Sequence, residues 1–140
     1  MVQKFALILG AIYLIVGIAG FIPGLVTSPH GGAELAADEG FGRLLGLFPI
    51  NWLHNLVHIA VGIWGLAAAR SFGGAVGFAR GLAILYGILT VLGIIPATNT
   101  LFGLVPLYSH DIWLHAATTL LAAYFGWGPP SRARATVQHV

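Results

Sequence analysis

The sequence predicts an all-α membrane protein, a bundle of four transmembrane helices. Three observations carry that reading. Of 140 residues, 58% are hydrophobic and 7% are charged, where a soluble domain has about a quarter charged. The few charges, six Lys+Arg and four Asp+Glu, are separated by long uncharged stretches. A pattern of apolar and turn residues also recurs in the two halves of the chain. With a mean hydropathy of +0.91, polar groups are too few to cover a soluble fold. That excludes a soluble globular domain, a disordered tail and a nucleic-acid binder. The sequence pI of 9.4 rests on a net charge of +2 and does not point to a polyanionic partner. The absence of cysteine excludes disulfides, thiolate nucleophiles and iron–sulfur clusters. Twenty Gly and seven Pro suit closely packed membrane helices.

No charge falls between Lys4 and Glu34, Arg43 and Arg70, Arg80 and Asp111, or Asp111 and Arg132. Each gap can hold the roughly 20 apolar residues of a spanning helix. The helices are therefore placed at about 5–25, 48–69, 76–96 and 108–127. These runs are continuously apolar rather than alternating, which argues against barrel strands. Met1-Val2-Gln3-Lys4 is a weakly positive start. The apolar run that follows reaches Val26 and is too long for a signal core, so it is read as a span. Pro49 and Pro106 are expected in the first turns of helices two and four, where no amide partner is lost. Residues 1–128 form one transmembrane domain, and 129–140 a frayed basic tail with Arg132 and Arg134 in solvent.

Lys4, Arg70, Arg80, Arg132 and Arg134 fall on one side of this arrangement, while the opposite loops hold only Arg43. Positive charge marks the cytoplasmic side, so both termini are expected there. The 26–47 and 97–107 loops face outward. The 29–42 segment is long enough to be a lid or a disordered loop. His30 and His139 read as ordinary solvent-exposed residues. Trp52 and Trp113 read as an interfacial belt. Gly10, Gly17, Gly20, Gly81, Gly87 and Gly93 read as sites of close helix approach.

Ala11–Pro23 can be laid on Ile84–Pro96, with Tyr13 on Tyr86, Gly20 on Gly93 and Pro23 on Pro96. Gly46-Leu47-Phe48-Pro49 likewise matches Gly103-Leu104-Val105-Pro106. The shared order suggests two repeated helical hairpins, related by a pseudo-two-fold along the membrane normal. Extending the second match sets His54 opposite Asp111 and His58 opposite His115.

Those four residues carry the chemistry. His54 and His58, like Asp111 and His115, are spaced i, i+4, which puts each pair on one face of a helix about one turn apart. On facing helices they supply three imidazoles and one carboxylate, a complete ligand set for a tetrahedral divalent metal. Bundles commonly build metal sites from inward side chains of adjacent helices. Asp111 is the only acid within a predicted span, and a charge in that position needs a partner. The site is placed in the outer leaflet. Asn51, Asn55, Tyr108, Ser109 and His110 are the candidates for orienting the ligands by hydrogen bonds. For Asn55 and His110, helix caps or inter-helix bonds are the plainer reading.

Leu53-His54-Asn55-Leu56-Val57-His58 with Asp111-Ile112-Trp113-Leu114-His115, on four spans in so short a chain, resembles the bacterial DUF4383 family of small integral membrane proteins. The resemblance covers nearly the whole chain, including Gly20-Phe21-Ile22-Pro23-Gly24 and Val105-Pro106-Leu107. It implies the four-helix architecture, a multi-pass protein of the bacterial inner membrane, and the importance of the motif residues. It supplies no activity.

Three functions compete. The first is metal binding by His54, His58, Asp111 and His115, with zinc the first choice for His and carboxylate without sulfur, and copper or iron open. A vacant fourth position could activate water, with Asp111 as base. No serine nucleophile supports an enzyme, and the question stays open, as does any small-molecule substrate. The second is haem-mediated electron transfer, with His58 and His115 as axial ligands, which leaves His54 and Asp111 unused. The third is a metal-free structural or small-transporter role, the cluster acting as a hydrogen-bond or proton network. Four spans are few for a transporter, so that reading expects a homo-oligomer in the lipid bilayer.

Overall fold

The computed structural model describes residues 1–28 and 34–132. The expectations for His30, Arg134 and His139 concern residues outside that set. Four long helices dominate: α1 (Val2–Ala19), α2 (Trp52–Ala68), α3 (Phe72–Ile94) and α4 (His110–Trp127). Two of them, α1 and α3, are long and apolar enough to cross a membrane by length and composition, and α2 is a shorter apolar helix.

The helix ends differ from the sequence expectation for local reasons. α1 stops at Ala19 rather than near 25. Pro23 disfavours helix in the residue before it, and Ile22 is extended at φ −94°, ψ 110°. α2 starts at Trp52 rather than 48, because Phe48-Pro49-Ile50 is a β-strand. Three short strands, β1 (Val26–Thr27), β2 (Gly42–Leu44) and β3 (Phe48–Ile50), form an antiparallel sheet in that order. Gly42 pairs with Ile50, and Val26 with Leu44. Pro49 therefore lies in an edge strand, where its missing N–H costs no ladder bond, and not in a helical first turn. Pro106 also precedes its helix, which begins four residues later. α3 begins at Phe72 because Ser71 caps it, accepting from the Gly74 amide at 3.0 Å. The chain after Trp127 is not frayed at once: α5 (Pro129–Arg132) forms one turn with Pro130 buried.

α1 packs along α2, and α3 along α4; α1 barely meets α4. Small residues set the first seam. A Cβ at Gly10 would lie 2.7 Å from the Leu66 amide, and one at Gly62 2.6 Å from the Leu14 amide. The core at the end away from the sheet is apolar, built from Val2, Ala6, Phe78, Ala79, Leu82 and Ala122. At that end Gln3 donates to the Ala69 carbonyl at 3.1 Å and Arg80 to the Gly126 carbonyl at 2.8 Å.

Positions matched between the two halves share local geometry. Leu45 and Gly46 have positive φ, as do their counterparts Phe102 and Gly103. The Leu47 amide donates to Leu44 at 3.1 Å, and the Leu104 amide to Leu101 at 3.2 Å. Pro49 and Pro106 are both fully buried. Gly20 packs against Asn55, and its counterpart Gly93 against Leu107 and Ile112.

Candidate metal centre

Asn51 places the first pair of ligands. As the N-cap of α2, its side-chain oxygen accepts the His54 amide at 2.9 Å, one of the free amides of a first turn. Its side-chain nitrogen donates to the carbonyls of Ala37 and Leu104, both at 2.7 Å. The α1–α2 and α3–α4 loops are thus both fastened to the turn that carries His54. Further backbone bonds tie the loops together: the Ala36 and Ala37 amides donate to Gly103, and the Trp52 amide to Glu39. On the other side Asp111 lies in the first turn of α4, where unpaired amides and the helix dipole favour a carboxylate.

These two helix starts bring His54, Asp111 and His115 together. His54 Nε2 is 3.8 Å and His115 Nε2 is 3.5 Å from Asp111 Oδ2. One ligand atom from each of the three lies within 4.8 Å of the others. The residues are 3%, 1% and 1% exposed. The separations exceed the about 2.7–3.2 Å of a good N–H···O bond. They are close to the about 3.4 Å between ligands of a tetrahedral ion held by bonds of 2.0–2.1 Å. This group could hold a metal ion. Two neutral imidazoles and a carboxylate would half-neutralise a dication and leave one tetrahedral position for another donor.

His58, the fourth predicted ligand, is buried beside the group rather than within it. Its ring centroid is 4.4 Å from that of His54, and neither ring nitrogen has a hydrogen-bond partner among the described residues. Among the described residues, no hydrogen bond joins the side chains of Asn51, Asn55, Tyr108, Ser109 or His110 to these rings or to Asp111. Asn51 serves backbone groups. Asn55 is buried against Gly20, its Oδ1 without a partner among the described residues. Ser109 Oγ and His110 Nδ1 lie 3.2 Å apart, with His110 exposed.

Three residues around the site were not singled out for chemistry from the sequence. Tyr13 lies 5.3 Å from His58, and Tyr86 meets His115 edge-on at 4.8 Å. The two tyrosines are 5.4 Å apart, ring to ring, and Tyr13 Oη is 3.3 Å from Thr118 Oγ1. Tyr13 and Tyr86 are matched positions of the two halves, so each covers the matched histidine of its own hairpin. A phenol recurring at one place in two apolar runs was the available signal. Thr118 offered none.

Neither the curated proteins nor the solved structures include a significant match to this chain. A family model does match, described as a domain of unknown function (DUF4383), and it spans residues 3–128. With that coverage, the chain belongs to the DUF4383 family.

Proposed function

We propose that this chain is a four-span membrane protein that holds a divalent transition metal, zinc before copper or iron, between the starts of α2 and α4. His54, Asp111 and His115 are the ligands, and His58 borders the remaining position. One observation carries the reading. Seven buried side-chain N or O atoms lack a hydrogen-bond partner among the described residues, and six belong to His54, His58, Asp111 and His115. Each unmet buried group costs about 1–3 kcal/mol. A cation held between His54, Asp111 and His115 would satisfy two of these atoms, Asp111 Oδ2 and His115 Nε2. A metal-free network would instead be expected to close its hydrogen bonds.

The membrane part rests on where apolar side chains point. Ile8, Ile15 and Ile18 on α1, Ile63 on α2, Ile88 and Val91 on α3, and Trp113 and Leu120 on α4 are all about half exposed or more. All four helices expose large apolar side chains, and α4 turns only small or polar residues inward, unlike the helices of a water-soluble bundle. At 17 residues α2 reaches the short end of the roughly 17–25 that span a bilayer. The local matches between the halves favour a duplicated hairpin. On this reading both loops lie on one face, opposite Lys4 and Arg70, and the metal centre lies near the outer surface.

Elemental analysis of purified protein tests the reading. Wild type should retain about one zinc per chain through dialysis, and Asp111→Asn should retain almost none. Wild type without bound metal, also after incubation with zinc, copper or iron, overturns the metal reading. Release of the protein from membranes by alkaline carbonate overturns the membrane reading.

A further inference from the structure

The end of the bundle away from the sheet carries side-chain charge of one sign. All four acids of the chain, Glu34, Asp38, Glu39 and Asp111, lie in the α1–α2 loop or the first turn of α4. Lys4 near the start of α1 and Arg70 just past the end of α2 lie at the other end. The 17 residues of α2 set the two ends roughly 25 Å apart, well beyond the about 8 Å reach of a charge in physiological salt. Lys4 and Arg70 border one open groove of about 360 Å³ between α1 and α2, together with Gln3, Leu7, Leu66 and Ala69. Both cations are exposed. Neither side chain makes a hydrogen bond or an ion pair among the described residues. Arg80, at the same end, is already engaged: its Nε donates to the Gly126 carbonyl at 2.8 Å, and its guanidinium lies 5.7 Å from the centre of the Trp127 ring. Helical period carries the groove inward. Leu7 follows Lys4 by three residues and Leu66 precedes Arg70 by four, so each cation stands one turn above a leucine on the same face. The mouth is held in shape, since Gln3 donates to the Ala69 carbonyl at 3.1 Å and Gly10 packs on the Leu66 amide.

We propose that this groove binds one anionic phospholipid, its phosphate set between Lys4 and Arg70 and an acyl chain lying along Leu7 and Leu66. The proposal rests on the membrane reading above and does not involve the metal. Charge complementarity selects the occupant. A zwitterionic head brings its own cation to a place where two cations already lack a partner and no acid side chain is near. A phosphate monoanion meets both. Arg70 can fork onto two of its oxygens while Lys4 acts as a point charge on a third. A soluble anion would satisfy the two cations and leave the leucines bare, whereas a lipid covers both parts of the groove. Basic pockets between helices at the membrane surface commonly take such heads.

The test titrates the full chain in detergent micelles with dioleoyl phosphatidylglycerol, and counts bound lipid by native mass spectrometry. Dioleoyl phosphatidylcholine and glycerol 3-phosphate are the controls. A Lys or Arg beside an anionic head is worth about fivefold. Wild type should therefore bind phosphatidylglycerol at least about tenfold more tightly than phosphatidylcholine. Lys4→Gln and Arg70→Gln should each weaken it about fivefold, and the double variant should lose the preference. Arg132→Gln, exposed at the same end but outside the groove, should change it less than about twofold. Leu7→Trp, which narrows the groove and keeps both cations, should weaken phosphatidylglycerol several-fold. If thermal unfolding shows that Leu7→Trp does not fold, the charge variants, all on exposed side chains, carry the test. Equal binding of the two lipids overturns the proposal. So does a preference that survives the double variant, or one that falls as far in Arg132→Gln as in Lys4→Gln. Glycerol 3-phosphate that displaces phosphatidylglycerol at equal concentration overturns it too, since the site would then serve a soluble anion. Selective binding by a protein that alkaline carbonate releases from membranes supports this groove and overturns only the four-span reading.

Discussion

The hairpin α1–α2 and the hairpin α3–α4 approach the centre of the molecule by the same route and deliver different chemistry. Each has a left-handed Leu-Gly or Phe-Gly turn, a fully buried proline and a tyrosine covering a histidine. At the decisive position one half presents His54 and the other Asp111. Two copies of the first pair would give four imidazoles and no negative charge. One carboxylate in their place offers a dication partial neutralisation while the surrounding scaffold stays similar. The halves differ again above the site: the first hairpin carries the three-stranded sheet, and the second only a tight loop fastened to it through Asn51. On the proposed reading, a repeated hairpin supplies comparable positions, and one side-chain difference makes them a mixed ligand set.

The largest effect should come from erasing that difference in charge. Asp111→Asn keeps shape and removes the anion. It should lower zinc affinity by more than about 100-fold, beyond the 10–100-fold typical of outer partners, as read by chelator competition. A smaller loss would mean that the carboxylate is not a ligand.

The two histidines of α2 can be compared next. His54→Ala should cost a similar factor. His58→Ala should stay within the 10–100-fold or less expected of a neighbour outside the ligand set. Equal losses in the same titration would make His58 a full ligand and the site four-coordinate from protein alone.

Asn51→Ala addresses the loops. It removes a helix cap worth about 1 kcal/mol and leaves two carbonyls without their donor, at about 1 kcal/mol each. A destabilisation of about 2–4 kcal/mol is expected in denaturant titration. Its counterpart Tyr108 makes no such bonds among the described residues, so Tyr108→Phe should change stability by less than about 0.5 kcal/mol.

The helix seams give the smallest contrast. A Cβ on Gly62 meets the Leu14 backbone at 2.6 Å, whereas one on Gly87 meets only the Thr119 methyl at 3.5 Å. Gly62→Ala should destabilise by about 1–3 kcal/mol through overpacking. Gly87→Ala should be neutral or stabilise by up to about 1 kcal/mol from helix propensity. Similar responses in thermal unfolding would show that both seams relax alike.

Much of this was legible along the chain. Charge spacing located four helices, because an uncharged apolar run has few other uses. The i, i+4 pairs identified His54, Asp111 and His115, since helical period alone puts each pair on one face. The helix starts were not legible. Leu44 to Ile50 is continuously apolar apart from Gly46 and Pro49, and its pairing with Gly42–Leu44 is a non-local choice that no local period reveals. The order of the ligands was equally hidden. His58 has the same spacing and residue type as a ligand, yet depth along α2 leaves it beside the group.

The sequence by itself determined the helices, their apolar exteriors and the identity of the polar residues within them, because these follow from composition and local periodicity. Tertiary structure alone decided which polar atoms come within bonding reach of one another. It also decided that Tyr13 and Tyr86 cover the histidines, and that Lys4 and Arg70 border one groove. Those outcomes depend on helix rotation and depth, which are set by glycine contacts and by the loops knotted at Asn51. A shift of about 1.5 Å, one residue along a helix, would separate atoms that the sequence only places on the same side.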